Sequence, residues 1–158
     1  MARLADEFAR VKRKITTQSA VLMVDLDHFK KFNDRYGHAG GDAVLRHCAQ
    51  LMRSTLRTTD TVARVGGEEF AIILPGANAL AARDFAERMR SIIAKSRVTH
   101  SGTSIAITVS IGFAVIDAND ADEDSALVRA DESLYRAKRS GRNRVEMARV
   151  SGHAVAAG

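Results

Sequence analysis

Residues 61–74 contain two short apolar runs on either side of a glycine pair and two glutamates. The runs are residues 61–63 and 70–74, and their length and the Gly-Gly turn signal between them predict a β-hairpin. The hairpin places two adjacent carboxylates, Glu68 and Glu69, at its turn. A solvated surface loop is the alternative interpretation, since glutamate side chains are usually exposed. The hairpin alone therefore does not establish a functional site.

A second constraint comes from the continuous apolar run at residues 20–24, which ends at Asp25-Leu26-Asp27. Such a run is typical of a buried central strand, here carrying acids at its C-terminal end. Ligands of α/β sheets often bind at strand ends of this kind. If this strand neighbours the hairpin, its acids converge with Glu68 and Glu69 and form an oxygen-rich site suited to Mg²⁺ or Mn²⁺. An EF-hand is excluded, because Asp25-x-Asp27 lacks the third acidic position and the glycine that follows it.

The remaining periodicities predict helices and strands in alternation. Leu4, Phe8, Val11 and Ile15 recur at helical spacing, and we expect this basic amphipathic helix to pack on its own domain rather than on a membrane. Further helices are expected at residues 42–56 and 79–95, after a polar loop or short helix at 28–41. A last helix is expected from the acidic cluster at 120–124 to near Gly141. Strands are expected at residues 104–111 and 144–147.

This order predicts an α+β fold resembling a ferredoxin-like palm. We expect a mostly antiparallel five-stranded sheet with helices covering one face and the glycine hairpin at the functional site. The chain of 158 residues fits one domain. We divide it into an N-terminal amphipathic helix at 1–18, the α+β domain at 19–149 and a flexible tail at 150–158.

Charge and composition restrict the partner. The net charge of +5 indicates an anionic partner, while 5% aromatic residues, no tryptophan and no nucleic-acid motif disfavour DNA or RNA. A compact phosphorylated ligand is therefore favoured. The chain has no apolar run long enough to span a bilayer, no signal-peptide pattern in its first residues and a single cysteine. Together these features predict a cytoplasmic protein.

Three motifs together resemble the GGDEF family, the diguanylate cyclase domains that condense two GTP into cyclic di-GMP. Residues 66–70 read GGEEF, residues 25–42 read DLDHFKKFNDRYGHAGGD, and residues 131–143 read DESLYRAKRSGRN. The resemblance extends over about residues 20–148. It implies a working unit in which two domains, each holding one GTP, face each other as a two-fold dimer. An upstream sensory or regulatory domain in the full-length protein is also expected.

The resemblance implies a role for each matching residue. Asp25, the Leu26 carbonyl and Glu68 would bind two Mg²⁺ or Mn²⁺ ions, with Glu68 also helping to deprotonate the attacking 3′-hydroxyl. Lys30 would stabilise phosphate charge in the transition state. The other implied substrate contacts are Asn33 and Asp42 on the guanine edge, and Lys138 and Arg142 on the triphosphate. From the residues alone, solvation is the favoured interpretation of the basic side chains. Turn formation and capping are the alternative for Asn33 and Asp42, and they are compatible with ligand binding.

Two histidines belong to the same motif. His28 and His38 are possible metal ligands by residue type, but no cysteine or histidine spacing indicates a zinc site.

Arg57-Thr58-Thr59-Asp60, just before the hairpin, resembles the family's RxxD inhibitory site for cyclic di-GMP. Arginine pairs with phosphate bidentately, and aspartate accepts hydrogen bonds from a guanine edge. Arg88 on the following predicted helix is expected to complete the site. A surface ion pair between Arg57 and Asp60 is the alternative interpretation.

The chain departs from the family at its N-terminal side, where residues 4–18 contain nothing like the D-x-L-T-x-L-x-N-R segment that usually precedes the first strand. Two functions therefore remain open. The leading hypothesis is a diguanylate cyclase with product inhibition through the RxxD site. The alternative is a catalytically weak or inactive domain that acts as a receptor for GTP or cyclic di-GMP.

Overall fold

The computed structural model describes residues 2–13 and 18–149. Its helices and strands follow the chain in this order: α1 (Ala2–Lys12), β1 (Ser19–Leu26), α2 (Phe29–Thr55), β2 (Thr61–Arg64), β3 (Glu69–Pro75), α3 (Ala79–Lys95), β4 (Val98–His100), β5 (Thr103–Ile105), β6 (Val109–Ile116), α4 (Asp124–Arg139) and β7 (Val145–Met147). Ile15 of the predicted first helix and the predicted tail at 150–158 lie outside the described residues.

Five strands form one sheet in the order β2-β3-β1-β6-β7. Every pairing is antiparallel except that of β6 with β7, which is parallel. The predicted five-stranded, mostly antiparallel sheet and the β2–β3 hairpin are therefore confirmed. Strand β1 lies at the centre and is buried along its whole length, as its continuous apolar run predicts.

Helices cover both faces of the sheet, so the expectation of helices on one face is wrong. Ala20, Leu22 and Val24 of β1 pack in one cluster with α2 and α3. Val21 and Met23 point to the opposite face and pack in a second cluster with α1 and α4. The physical reason is the side-chain alternation of a strand. A run that is apolar at every position exposes apolar side chains on both faces, and each face needs a cover.

Helix α1 contributes to the second cluster. Leu4 and Val11 are 1% and 3% exposed, respectively, and pack with Val21 and Ala71 of the sheet. The apolar side of this helix therefore packs on its own domain, as expected. No helix in the described ranges combines the length and apolarity that a membrane crossing requires.

The strand expected at residues 104–111 is in fact divided between two elements. Residues 103–105 form β5, which pairs only with β4 in a separate hairpin, and β6 begins at Val109 opposite Leu26. The alternating pattern continues through the break, so periodicity could not reveal it.

Strand β6 also contains Gly112, where a Cβ would lie 2.2 Å from the Leu134 backbone nitrogen. This glycine lets α4 pack directly on the sheet.

The polar segment expected as a loop or short helix at residues 28–41 is mostly helical, and it joins the helix expected at 42–56 in α2. The two parts of α2 meet at Gly37, whose backbone is non-helical with φ 74° and ψ 177°. A Cβ on Gly40 would lie 2.4 Å from the Tyr36 Cβ, so the halves approach each other closely only because residue 40 is glycine.

Candidate active site

The turn of the hairpin is fixed by backbone contacts and by one arginine. The Val65 amide donates to the Glu69 carbonyl at 2.9 Å, which closes the hairpin. The Arg64 guanidinium donates to the carbonyls of Gly66 and Gly67, the shortest contact being 2.7 Å. Arg64 was not singled out from the sequence, although its position two residues before the glycine pair was visible. It holds the turn that carries Glu68.

Strand β1 brings its acids to the same end of the sheet. Asp25 lies opposite Glu69 in the register of β1 and β3. The Leu26 amide donates to the Glu68 carbonyl at 3.2 Å, one residue further along. The sequence-based expectation depended on β1 being a neighbour of the hairpin, and it is. Asp25, Leu26 and Glu68 are thus adjacent in the structure.

The Asp25 carboxylate is the most perturbed acid of this group. The residue is 4% exposed, and burial raises the pKa of its carboxyl to about 6. The Lys138 ammonium, with Nζ 2.6 Å from Asp25 Oδ2, acts in the opposite direction, while the charges of Glu68 and Glu69 add to the rise. The carboxylates of Asp25, Glu68 and Glu69 therefore concentrate negative charge at this end of the sheet, and a bound cation would stabilise their ionised forms.

A cavity of about 360 Å³ opens beside the hairpin turn. Four residues predicted from the sequence line it together: Lys30, Asn33, Asp42 and Glu68. Its volume lies in the range of small-molecule sites. His38 and Arg64 also line the cavity. His38 was considered from the sequence only as a metal ligand, and the structure gives it a place beside the predicted nucleotide contacts.

Asn33 reaches the cavity because of Gly41. A Cβ on Gly41 would lie 1.8 Å from the Asn33 Oδ1, so any larger residue there would displace the amide. The two halves of α2 therefore place Asn33 and Asp42 together in the cavity lining. The side-chain amide of Asn33, from the first half, lies against the backbone of Gly41 in the second half. The motif contained Gly41, but its role becomes visible only once the kink at Gly37 is known.

The two predicted triphosphate residues lie at the C-terminal end of α4, and neither belongs to the lining of this cavity in the described chain. Lys138 is the partner of Asp25 and lies next to the proposed metal ligands. Arg142 follows the helix in an exposed turn, and its amide donates to the Ala137 carbonyl at 3.0 Å.

Asp27 connects this turn to the sheet, a role that the sequence did not reveal. Its carboxylate is 3% exposed and accepts from Ser110 Oγ at 2.6 Å, Thr108 Oγ1 at 2.7 Å and the Asn143 amide at 3.0 Å. It thus connects the end of β1 with the start of β6 and with the segment after α4. Oδ1 accepts one of these hydrogen bonds and Oδ2 accepts two, so both oxygens of Asp27 are engaged within the protein and we interpret it as a structural acid.

The donor set fits Mg²⁺ or Mn²⁺ and not zinc. The described part of the chain contains no group of three or more His, Cys, Asp or Glu residues arranged to hold a metal ion. Asp25, Glu68 and the Leu26 carbonyl offer only oxygen. Mg²⁺ is commonly held by one or two carboxylates with substrate phosphates and water completing its octahedron. The residues present match that pattern, with a phosphorylated substrate as the remaining source of ligands.

A second cavity, of about 330 Å³, is lined by all three residues of the predicted inhibitory site, Arg57, Asp60 and Arg88. Arg57 Nη2 lies 3.2 Å from Asp60 Oδ1 and 3.1 Å from the Pro75 carbonyl. The Asp60 side chain is 1% exposed and that of Arg57 is 64% exposed. Pro75 and Glu69 are the two ends of β3, which separates the cavities by roughly 20 Å at ~3.4 Å per residue.

Comparison with protein families gives a match to the model described as diguanylate cyclase, GGDEF domain, over residues 1–144. Diguanylate cyclase A of Treponema denticola is 42% identical over 130 residues, which are 82% of this chain and 35% of that protein. Diguanylate cyclase DgcP of Pseudomonas aeruginosa is 42% identical over 146 residues, which are 92% of this chain and 22% of that protein. The chain thus spans about a third or less of the length of these relatives.

Solved structures agree with these relatives. The GGDEF domain of DgcB from Caulobacter crescentus, in complex with c-di-GMP, superposes with a TM-score of 0.87 at 35% identity over 92% of this chain and 86% of that one. The active GGEEF domain of a diguanylate cyclase from Vibrio cholerae gives a TM-score of 0.86 at 35% identity over 95% and 94% of the two chains.

Proposed function

The chain belongs to the GGDEF domain family, and we propose that it condenses two molecules of GTP into cyclic di-GMP with release of two pyrophosphates. One observation carries the proposal. Lys30, Asn33, Asp42 and Glu68 line a single cavity, and the buried carboxylate of Asp25 lies next to Glu68. The relatives named diguanylate cyclase support the same reaction.

Guanine recognition is assigned to Asn33 and Asp42. A carboxylate accepts hydrogen bonds from the adjacent N1 and N2 donors of guanine, which adenine lacks, so Asp42 favours GTP. Asn33 offers both a donor and an acceptor to the same edge. Because the two side chains share one cavity wall, a planar base can contact both.

Phosphate binding is assigned to the other end of the site. Asp25, the Leu26 carbonyl and Glu68 would hold the divalent ions, two per site, which lower the negative charge on the phosphates and make phosphorus more electrophilic. Lys30, Lys138 and Arg142 neutralise the remaining phosphate charge. Arginine can do so bidentately. Lys138 is supported by its contact with Asp25, which places its ammonium beside the ion ligands.

Glu68 is assigned the proton transfer. Its carboxylate accepts the proton of the 3′-hydroxyl, and the 3′-oxygen forms a bond to the α-phosphorus of the second GTP. The bond from that phosphorus to the oxygen of the departing pyrophosphate breaks. A second round between the same two nucleotides closes the ring. The acceleration comes from positioning and charge stabilisation, with no covalent enzyme intermediate.

The reaction requires two chains. The described part of each chain offers one such cavity, so two chains must face each other as a two-fold dimer. We propose that a sensory or regulatory domain of the full-length protein controls this pairing, consistent with the greater length of the curated relatives. We place the protein in the bacterial cytoplasm, where GTP is available.

Feedback inhibition by cyclic di-GMP is proposed at the second cavity. Arg57 and Arg88 would pair with the product's phosphates, and Asp60 with a guanine edge. The shared cavity supports this grouping. The DgcB domain was solved in complex with c-di-GMP, which fits binding of this product by a close structural neighbour.

A receptor without catalytic activity is the second candidate, favoured by the same cavity, which groups Arg57, Asp60 and Arg88. Turnover of GTP separates the two candidates. A cyclase forms cyclic di-GMP in the presence of Mg²⁺ and loses this activity in Glu68→Ala, whereas a receptor binds the nucleotide without converting it. Calorimetry with cyclic di-GMP on wild type and Arg57→Ala tests the receptor function, and equal affinities would dismiss the second cavity as its site.

A further inference from the structure

The turn after α4 has an unusual backbone. Gly141, Arg142 and Asn143 have φ values of 121°, 62° and 47°, respectively, so two consecutive non-glycine residues occupy the left-handed region. Such residues persist only where surrounding contacts hold them. Arg142 is one of them, and its side chain is the proposed phosphate contact.

Two contacts hold Asn143 from opposite sides. Its amide donates to the buried carboxylate of Asp27 at 3.0 Å. Its side-chain Oδ1 accepts from Arg90 Nη1 at 2.7 Å. Arg90 belongs to α3, while Asp27 follows β1, so two separate elements meet at one residue of the turn. A second contact of Arg90, with Glu87 on the same helix, orients its guanidinium.

We propose that Arg90 and Asp27 are positioning residues that clamp Asn143 and thereby hold Arg142 in the conformation that presents it to the nucleotide phosphates. The proposal rests on the phosphate-binding role of Arg142 in the proposed function. It extends the site to α3, a helix that provides none of the residues lining the nucleotide cavity within the described chain.

Arg90 is the informative residue to change. Its side chain is 19% exposed, and the neighbouring core residues Met89 and Ile93 pack without it. Asp27 is less suitable, because its removal would leave three donors without their buried acceptor and would disturb the sheet itself.

The test measures binding of two nucleotides to the intact chain. The first is 3′-deoxy-GTP with Mg²⁺, which lacks the attacking hydroxyl and cannot be condensed. The second is GMP, which shares the guanine and lacks the outer phosphates. For Arg90→Leu we expect at least about five-fold weaker binding of 3′-deoxy-GTP and unchanged binding of GMP, because loss of a charged hydrogen bond is of this order.

Arg142→Ala should show the same selective loss, and the double variant should lose no more than either single one, since both changes act on one contact. Glu87→Gln is the matched control, because it alters the other partner of Arg90 and keeps the bond to Asn143. Hydrogen exchange reports on the clamp directly. The Asn143 amide should exchange faster in Arg90→Leu than in wild type and Glu87→Gln.

Three results would overturn the proposal. The first is an unchanged affinity for 3′-deoxy-GTP in Arg90→Leu or in Arg142→Ala. The second is a loss of GMP affinity as large as the loss of 3′-deoxy-GTP affinity. The third is a loss of 3′-deoxy-GTP affinity in the double variant that equals the sum of the two single losses. Arg90→Lys, which keeps the charge but cannot bridge Glu87 and Asn143 with a fork, replaces Arg90→Leu if the latter does not fold. Binding of 3′-deoxy-GTP needs no turnover, so failure of this proposal is distinguishable from absence of cyclase activity.

Discussion

Lys138 Nζ lies 2.6 Å from Asp25 Oδ2, so the residue expected to neutralise phosphates is the partner of the residue expected to bind the metal. The two are 113 positions apart in the chain and meet because α4 packs beside β1 and β6. The contact opposes the effect of burial on Asp25 and joins the two halves of the phosphate-binding end of the site.

The ionisation of Asp25 makes the stability of the metal-free protein depend on pH. Burial raises the pKa of this carboxyl from 3.8 to about 6, so its contribution to stability is present below pH 3.8 and is lost as the pH rises through 6. Asp25→Asn cannot ionise. We therefore expect the free energy of unfolding of Asp25→Asn, relative to wild type, to increase between pH 4 and pH 8 by up to ~3 kcal/mol.

Urea unfolding in EDTA at both pH values measures this difference. Asp131→Asn, at an exposed position of α4, serves as the control for the loss of a carboxylate. A difference that stays constant or falls between pH 4 and pH 8 would contradict the assignment of the raised pKa to Asp25.

Gly41→Ala should impair guanine binding more than it impairs folding. The new Cβ would lie 1.8 Å from the Asn33 Oδ1, and the amide must leave its position on the cavity wall. We expect GTP affinity to fall by about ten-fold, as in Asn33→Ala, with little further loss in the double variant. Calorimetry measures the affinities, and Ala39→Ser on the exposed side of α2 is the control. Full GTP affinity in Gly41→Ala would argue against a role for Asn33.

Arg57→Ala should weaken cyclic di-GMP binding strongly while changing stability little. The arginine side chain is largely exposed, and the buried Asp60 carboxylate keeps its hydrogen bond from the Arg57 backbone amide in this variant, so we expect a stability loss of about 1 kcal/mol. Its loss from a phosphate site should reduce affinity for the product by about ten-fold or more. Calorimetry and thermal melting together measure both effects. Arg97, whose side chain donates to the preceding backbone carbonyl and to no other group in the described ranges, provides the control substitution to alanine. Equal affinity for cyclic di-GMP in the Arg57 and Arg97 variants would contradict the assignment of Arg57 to an inhibitory site.

The predictable parts of the structure are those that depend on local pattern. The apolar run ending at Asp25 and the glycine turn before Glu68 predict two strands with acids at their ends. Their adjacency was only a condition of the prediction, and the sheet order β2-β3-β1 fulfils it. Lys30, Asn33 and Asp42 come from a contiguous motif.

The unpredicted parts depend on residues far apart in the chain. Asp27 meets Thr108 and Asn143, which are 81 and 116 positions away, and no local pattern indicates those contacts. The bond between Arg90 and Asn143 spans 53 positions. The second helical layer depends on a different property. A run that is apolar at every position needs cover on both faces of the sheet, and the order of elements alone does not indicate which helix covers which face.

Formation of cyclic di-GMP from GTP and Mg²⁺ tests the central claim most directly. The rate per chain should be measured on wild type and Glu68→Ala, each at rising concentration and each fused to a dimerising segment. The account predicts product from wild type, a rate per chain that rises with concentration unless the dimeriser is present, and none detectable from Glu68→Ala. A folded, dimerised wild-type chain that binds GTP and forms no cyclic di-GMP would contradict it.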